Sequence, residues 1–241
     1  MALPKIEYPT FKVTLPSNKE KVTLRPFLVK EEKILLMALQ SEDPEEVINS
    51  IKQVIRNCIV EGSVDIDELA TLDVEYLFIK LRARSVNNII KLTYRDNEDD
   101  KRYDVEVNLD EVAVKYNDKH TNDIKINESV GIKLRYPKAG ISSQVKDITS
   151  ETELFFKILK NSLDVIYDKD NEFKVSDSSE EELDEFIQSL DVKAFNKIQD
   201  FFTTMPRLHY EVSYVNSLGN TRTIILNSLN DFFTLGWVII T

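Results

Sequence analysis

One cysteine, five glycines, two histidines and one tryptophan occur in 241 residues, and each scarcity closes a route to function. The single thiol, Cys58, cannot form an intrachain disulfide, and its place in an apolar helical pattern reads as a small core residue. Its helix supplies no nearby histidine to activate it as a nucleophile. Five glycines leave little material for loops that cradle nucleotide phosphates. His120 sits in a polar loop and His209 at a strand start, without a nucleophile elbow or zinc spacing beside either. No enzyme, cofactor or metal is therefore expected. No stretch approaches the roughly 18 apolar residues that span a bilayer. Met1-Ala2-Leu3-Pro4-Lys5 does not open a signal peptide, so cytoplasmic synthesis is the expectation.

What is abundant is acid. Forty-two Asp and Glu against 31 Lys and Arg give a net charge of −11, a field that repels phosphate backbones and anionic lipid. Nucleic acid and membrane are thus disfavoured as partners, and basic or amphipathic proteins suit the charge better. Apolar residues make up 42% of the chain, which argues against global disorder.

The stretch from Phe11 to Leu39 sets the pattern for the rest. Phe11, Val13 and Leu15, then Val22 and Leu24, alternate with polar residues across the turn Pro16-Ser17-Asn18-Lys19-Glu20, which predicts a β-hairpin. Pro26 has no amide to continue a strand, and Ile34, Leu35, Ala38 and Leu39 recur at helical spacing behind it. Further helices are predicted at about 44–61, from an acidic start with Pro44, and at about 66–84. A second hairpin follows, Ile89–Tyr94 and Tyr103–Val107, across the acidic turn Asp96–Asp100. The same outline returns in Tyr210–Val215, the turn Asn216–Asn220, Thr223–Leu226 and the short acidic segment Ser228–Phe233. Between them lie a strand at 131–136, helices at about 149–163, 177–190 and 192–204, and a short hairpin around Asp168–Asn171.

These elements predict an α+β fold of antiparallel β-hairpins combined with amphipathic helices. Two lobes are expected, a hairpin-helix-hairpin lobe over 1–140 and a helical lobe over 141–241 that closes with a hairpin. Asp168-Lys169-Asp170-Asn171-Glu172 imitates the start of a calcium loop, but Phe173 stands where that loop needs glycine and Ser179 where it needs the bidentate glutamate. A hairpin turn is the better reading. Asp65, Asp67 and Glu68 read as acidic residues at a helix start. The acidic run Asp96–Asp100 is a hairpin tip able to attract a basic partner surface.

Two separated stretches resemble a known family. Leu15–Leu39, LPSNKEKVTLRPFLVKEEKILLMAL, is similar to the opening of the small baseplate hub proteins of T-even-type contractile-tailed bacteriophages. Phe201–Leu208, Tyr214–Asn220 and Leu226–Phe233 resemble that family's C-terminal part, in the same order. The resemblance implies a non-enzymatic baseplate hub subunit or hub-assembly protein, present in the host cytoplasm during assembly and in the virion tail if retained. It implies other tail or hub proteins as partners, the tape-measure protein among them, and transfers no catalytic or cofactor residue. The alternative is a tail-assembly chaperone for a helical tail protein, absent from the mature virion. Phe27, Phe232, Phe233 and Trp237 are the candidate partner-binding residues, with core packing as the competing reading.

Overall fold

In the computed structural model, residues 6–41, 43–61 and 64–233 are described. The opening alternation becomes β1 (Phe11–Thr14) and β2 (Lys21–Leu24), paired antiparallel with Val13 opposite Val22. Their turn closes through Leu15 N–H to Glu20 O at 2.8 Å, and Ser17 at its tip donates to the buried Asp73 carboxylate. Beyond Pro26 the chain forms α1 (Val29–Gln40). The buried Glu31 accepts the Leu28 N–H at 2.9 Å and pairs with Arg25 at 2.9 Å, which fixes the exit from strand to helix. Next come α2 (Pro44–Cys58), capped by Asp43, and β3 (Ile59–Glu61), which joins the first sheet in the order β1-β2-β3.

α3 (Thr71–Ser85) buries Leu72, Val74, Leu77, Phe78, Ile79 and Leu81, which occupy more than one face of the helix. It starts five residues later than the sequence predicts, because residues 67–70 bond elsewhere. Gly140 N–H reaches Asp67 O at 3.0 Å, Ala139 N–H reaches Leu69 O at 2.8 Å, and Ala70 bridges Lys138. Asp67 and Glu68 therefore do not begin a helix, and Glu68 instead pairs with Lys138. A Cβ at Gly140 would stand 3.1 Å from Asp67 O, so this approach requires its small size.

β4 (Ile89–Arg95) and β5 (Arg102–Asn108) form the second hairpin, and β6 (Ala113–Lys115) follows. The chain then runs through β7 (Asp123–Lys125), β8 (Gly131–Leu134), α4 (Ser142–Val145), α5 (Glu151–Ser162), β9 (Leu163–Tyr167) and β10 (Glu172–Lys174). α6 (Glu180–Gln188), α7 (Val192–Thr204), β11 (Arg207–Val215), β12 (Thr221–Leu226) and α8 (Leu229–Phe233) complete it. Ser150, Ser179 and Asp191 cap α5, α6 and α7 through side-chain oxygens, as local sequence dictates. This α+β architecture is the one the periodicities predict, and among the described residues every strand pairs antiparallel.

Two compact units result. Among the described residues, one holds those up to Ile66, Leu72–Lys115 and those from Arg207 to Phe233; the other holds Asp67–Thr71 and Tyr116–Pro206. The linear division at residue 140 and these units differ, since β7 and β8 fall with the later helices, while β11, β12 and α8 return to the first unit. In the first unit, β6 pairs with β11 in the sheet β12-β11-β6, Lys115 opposite Arg207. Leu208, Leu226 and Phe232 share a core with Leu72, Ile79, Ile90, Leu92, Val105 and Val107.

The second unit is a sheet in the order β10-β9-β8-β7 covered by α5, α6 and α7. Ile124, Ile132 and Leu134 from its strands meet Leu159, Leu183, Ile187, Ile198 and Phe201 from its helices. Tyr167 lies across Gly131, where a Cβ would come within 2.2 Å of its hydroxyl, and donates to Asp123 at 2.5 Å.

Candidate functional site

Phe27 and Phe232 are placed inside the first unit, 6% and 0% exposed, and Phe232 belongs to the core described above. Both fill space in the chain's own fold. Trp237 and the Phe233 side chain lie outside the described residues.

The acidic turn Asp96–Asp100 finds its partner within the same unit, at the tip of the β11–β12 hairpin. Asp96 is wholly buried, accepts a hydrogen bond from the Tyr214 hydroxyl and stands 3.3 Å from Arg222 Nε. Asn97 accepts from Arg222 Nη2 at 2.6 Å, and Glu98 from Asn216 at 2.6 Å and Asn220 at 3.1 Å. Asp99 accepts from the Ser217 amide at 3.0 Å, the Ser217 hydroxyl at 2.7 Å and Tyr103 at 2.5 Å. Tyr103 stacks on Tyr214 with ring centroids 4.7 Å apart. Gly219, at φ +84°, gives the receiving turn the left-handed residue that other side chains resist.

Electrostatics follow the geometry. The Tyr214 hydrogen bond holds the Asp96 carboxyl below its ordinary range. Burial works against Asp99, yet hydrogen bonds from Tyr103 and Ser217 outweigh it and hold that group well below too. Burial and the Asp96 bond push Tyr214 up to about 12. Both hairpins are legible in sequence, but their contact is not. The available signal was the complement between acids at 96, 98, 99 and 100 and the donors Asn216, Asn220 and Arg222 on a second tip.

Cys58 is fully buried, and burial pushes its thiol up to about 11, so it is protonated at neutral pH. His120 Nδ1 lies 2.9 Å from Thr204 Oγ1, whose own hydrogen goes to Asp200 O at 2.6 Å. The proton therefore sits on Nδ1, and burial against Tyr136 and Phe201 lowers this histidine's pKa. His209 faces Glu211 at 2.9 Å on β11. Asp168 accepts the Asp170 and Asn171 amides at 2.8 Å each, which makes the calcium-like run a hairpin turn. Among the described residues, no three His, Cys, Asp or Glu side chains gather as a metal site.

The family described as T4 bacteriophage base plate protein matches this chain over residues 8–234. The chain belongs to that family. Leu15–Leu39 and Phe201–Phe233, the two stretches that carry the sequence resemblance, both lie within the match. No curated protein and no solved structure matches it. As a base plate protein, the chain is a component of the phage tail and meets other tail proteins there. Among the described residues, no helix is long and apolar enough to cross a membrane.

Proposed function

We propose that this base plate family member acts at the hub, as a non-enzymatic protein that binds other tail proteins while the contractile tail is built. The observation that carries this reading is the ordered pair of stretches, Leu15–Leu39 and Phe201–Phe233, both similar to hub proteins and both inside the family match. In this reading the protein meets its partners in the host cytoplasm, works without a cofactor, and enters the virion with the hub. A structural role also fits the chemistry of its polar groups: the acidic tip is held by a neighbouring hairpin, and the thiol is buried and protonated.

Quantitative mass spectrometry of purified particles and of infected-cell extracts tests the proposal. The expected result is the protein in particles at a fixed ratio to other base plate proteins, with tails failing to assemble when its gene is removed. Normal tails in its absence would overturn the proposal. A tail defect with no protein in particles would replace the subunit by the second reading, a tail-assembly chaperone for the tape-measure or another helical tail protein.

A further inference from the structure

Strand β12 ends the sheet β12-β11-β6, and among the described residues no second strand pairs with it. The row of backbone N–H and C=O groups along such an edge is open to any extended chain, and proteins ordinarily defend it with charge, proline, a bulge or brevity. Other strands that end a sheet follow that rule, with exposed Lys12 on β1, Lys91 on β4, Lys115 on β6, Lys125 on β7 and Lys174 on β10. β12 does not. It pairs with β11 in unbroken register over six residues, and it has no proline. Its one charged residue, Arg222, is half-buried and turned to Asp96, Asn97 and Glu98 of the neighbouring hairpin. What the strand shows to solvent is Thr221, Thr223 and Ile225, the last 53% exposed.

The chain that follows is matched to this edge. α8 is fastened to the end of β12: the Asp231 carboxylate accepts the Asn227 and Ser228 amides at 2.9 Å each, and Phe232 is buried in the core that holds Leu226. Residues 234–241, Thr-Leu-Gly-Trp-Val-Ile-Ile-Thr, come next and lie outside the described residues. Only Asn227–Phe233 separate them from β12, and none of them is charged. Thr, Val, Ile and Trp are residues that favour strands. A strand of that length spans about 26 Å, enough to cover the roughly 20 Å of a strand as long as β12. At a period of two, Leu235, Trp237 and Ile239 share one side and Val238 and Ile240 the other. Either side therefore brings apolar surface to Ile225, or to Ile224 and Leu226 at the core.

We propose that residues 234–241 add to the open edge of β12 as an antiparallel strand of the same chain. Consecutive strands usually lie side by side, and antiparallel order is the one a short connection permits. Tethering selects this occupant over a second copy, because a strand held beside its edge by a few residues acts at an effective concentration of order mM. The added strand takes up the edge's unpaired backbone groups and covers Ile225. It thereby withdraws the β12 edge from strand addition by other proteins. The inference stands on the chain's own residues and does not depend on the base plate reading.

Backbone amide hydrogen exchange, read by NMR on the full chain, tests this. The β12 amides that do not bond β11 are expected to be protected, as are amides within residues 234–241, and nuclear Overhauser contacts are expected to join the two segments in antiparallel order. Val238→Pro with Ile239→Pro removes adjacent donors, one of which faces β12 in any register. That pair is expected to speed exchange of those β12 amides about tenfold or more. Val238→Ile with Ile239→Val is expected to retain the protection. Unchanged protection of β4 and β5 shows that both variants keep their fold; should the prolines unfold the chain, the contacts in the unaltered protein decide alone. Exchange on β12 that the prolines leave unaltered in a folded chain overturns the proposal, as do residues 234–241 exchanging at the rate of a free peptide. Contacts that join the segment to another part of the chain, or protection that grows with protein concentration as pairing between copies would, overturn it as well.

Discussion

Glu75 shows how a single carboxylate sets the pH response of its surroundings. It lies on α3, half-buried, and accepts the Leu229 N–H of α8 at 3.4 Å. Burial raises its pKa to about 7, nearby Asp231 adds to the rise, and the Leu229 hydrogen bond only partly offsets both. A raised carboxylate pKa means that the folded state holds a proton the unfolded chain releases at about 4.5. Stability is therefore undiminished below that pH, falls as pH climbs toward 7, and levels off above it. Glu75→Gln keeps an oxygen for the Leu229 amide and removes the charge. It is expected to stabilise the protein by about 2 kcal/mol at pH 8 and to change little at pH 4. Urea unfolding at the two pH values measures this, and an equal gain at both would show that charge is not the cause.

At the scale of elements, the joined tips of the β4–β5 and β11–β12 hairpins behave as a single polar clasp. Tyr214→Phe leaves the buried Asp96 one donor short, and Arg222→Ala removes contacts to Asp96, Asn97 and Glu98 together. Both are expected to lower the midpoint of thermal unfolding at pH 7 by several degrees, as followed by circular dichroism. Asp96 and Asp99 titrate below their ordinary range, so the clasp contributes fully above about pH 4 and is lost as pH falls below it. The deficit of each variant should accordingly shrink at pH 3. An unchanged midpoint for Tyr214→Phe at pH 7 would mean that the clasp does not hold the hairpins. The three main hairpins, strand β8 and helices α1, α2 and α5–α7 were legible in the sequence because their signals lie within a few residues, whereas the three-residue strands β3, β6 and β7 were not, being too short to show an alternation. The clasp was not, because Asp96 and Tyr214 are 118 positions apart. The start of α3 was misread for the same reason: 67–70 carry a good acidic helix opening, but the segment around Lys138–Gly140 takes their backbone groups.

At the scale of the whole molecule, the units are not consecutive in the chain. The core around Ile79 and Val107 needs Leu208, Leu226 and Phe232, and β6 needs β11. A fragment of residues 1–140 lacks all of these and is expected to unfold without cooperativity. A chain in which a short turn joins Lys115 to Arg207, in place of Tyr116–Pro206, should unfold cooperatively. Thermal unfolding and amide chemical-shift dispersion distinguish the two, and a cooperative 1–140 fragment would show that the first unit closes without its C-terminal hairpin. The hydrogen bond between His120 and Thr204 bears on the order in which the chain folds. Strands β6 and β11 must meet across a long excursion, and closing a loop costs more chain entropy the longer it is, though the cost grows slowly. His120 and Thr204 stand just inside the two ends of that excursion. Once they meet, what remains to be closed between Lys115 and Arg207 is a handful of residues, a saving of about 2 kcal/mol in chain entropy. Folding of the inserted segment is therefore expected to precede pairing of β6 with β11, so that the sheet completing the first unit closes last.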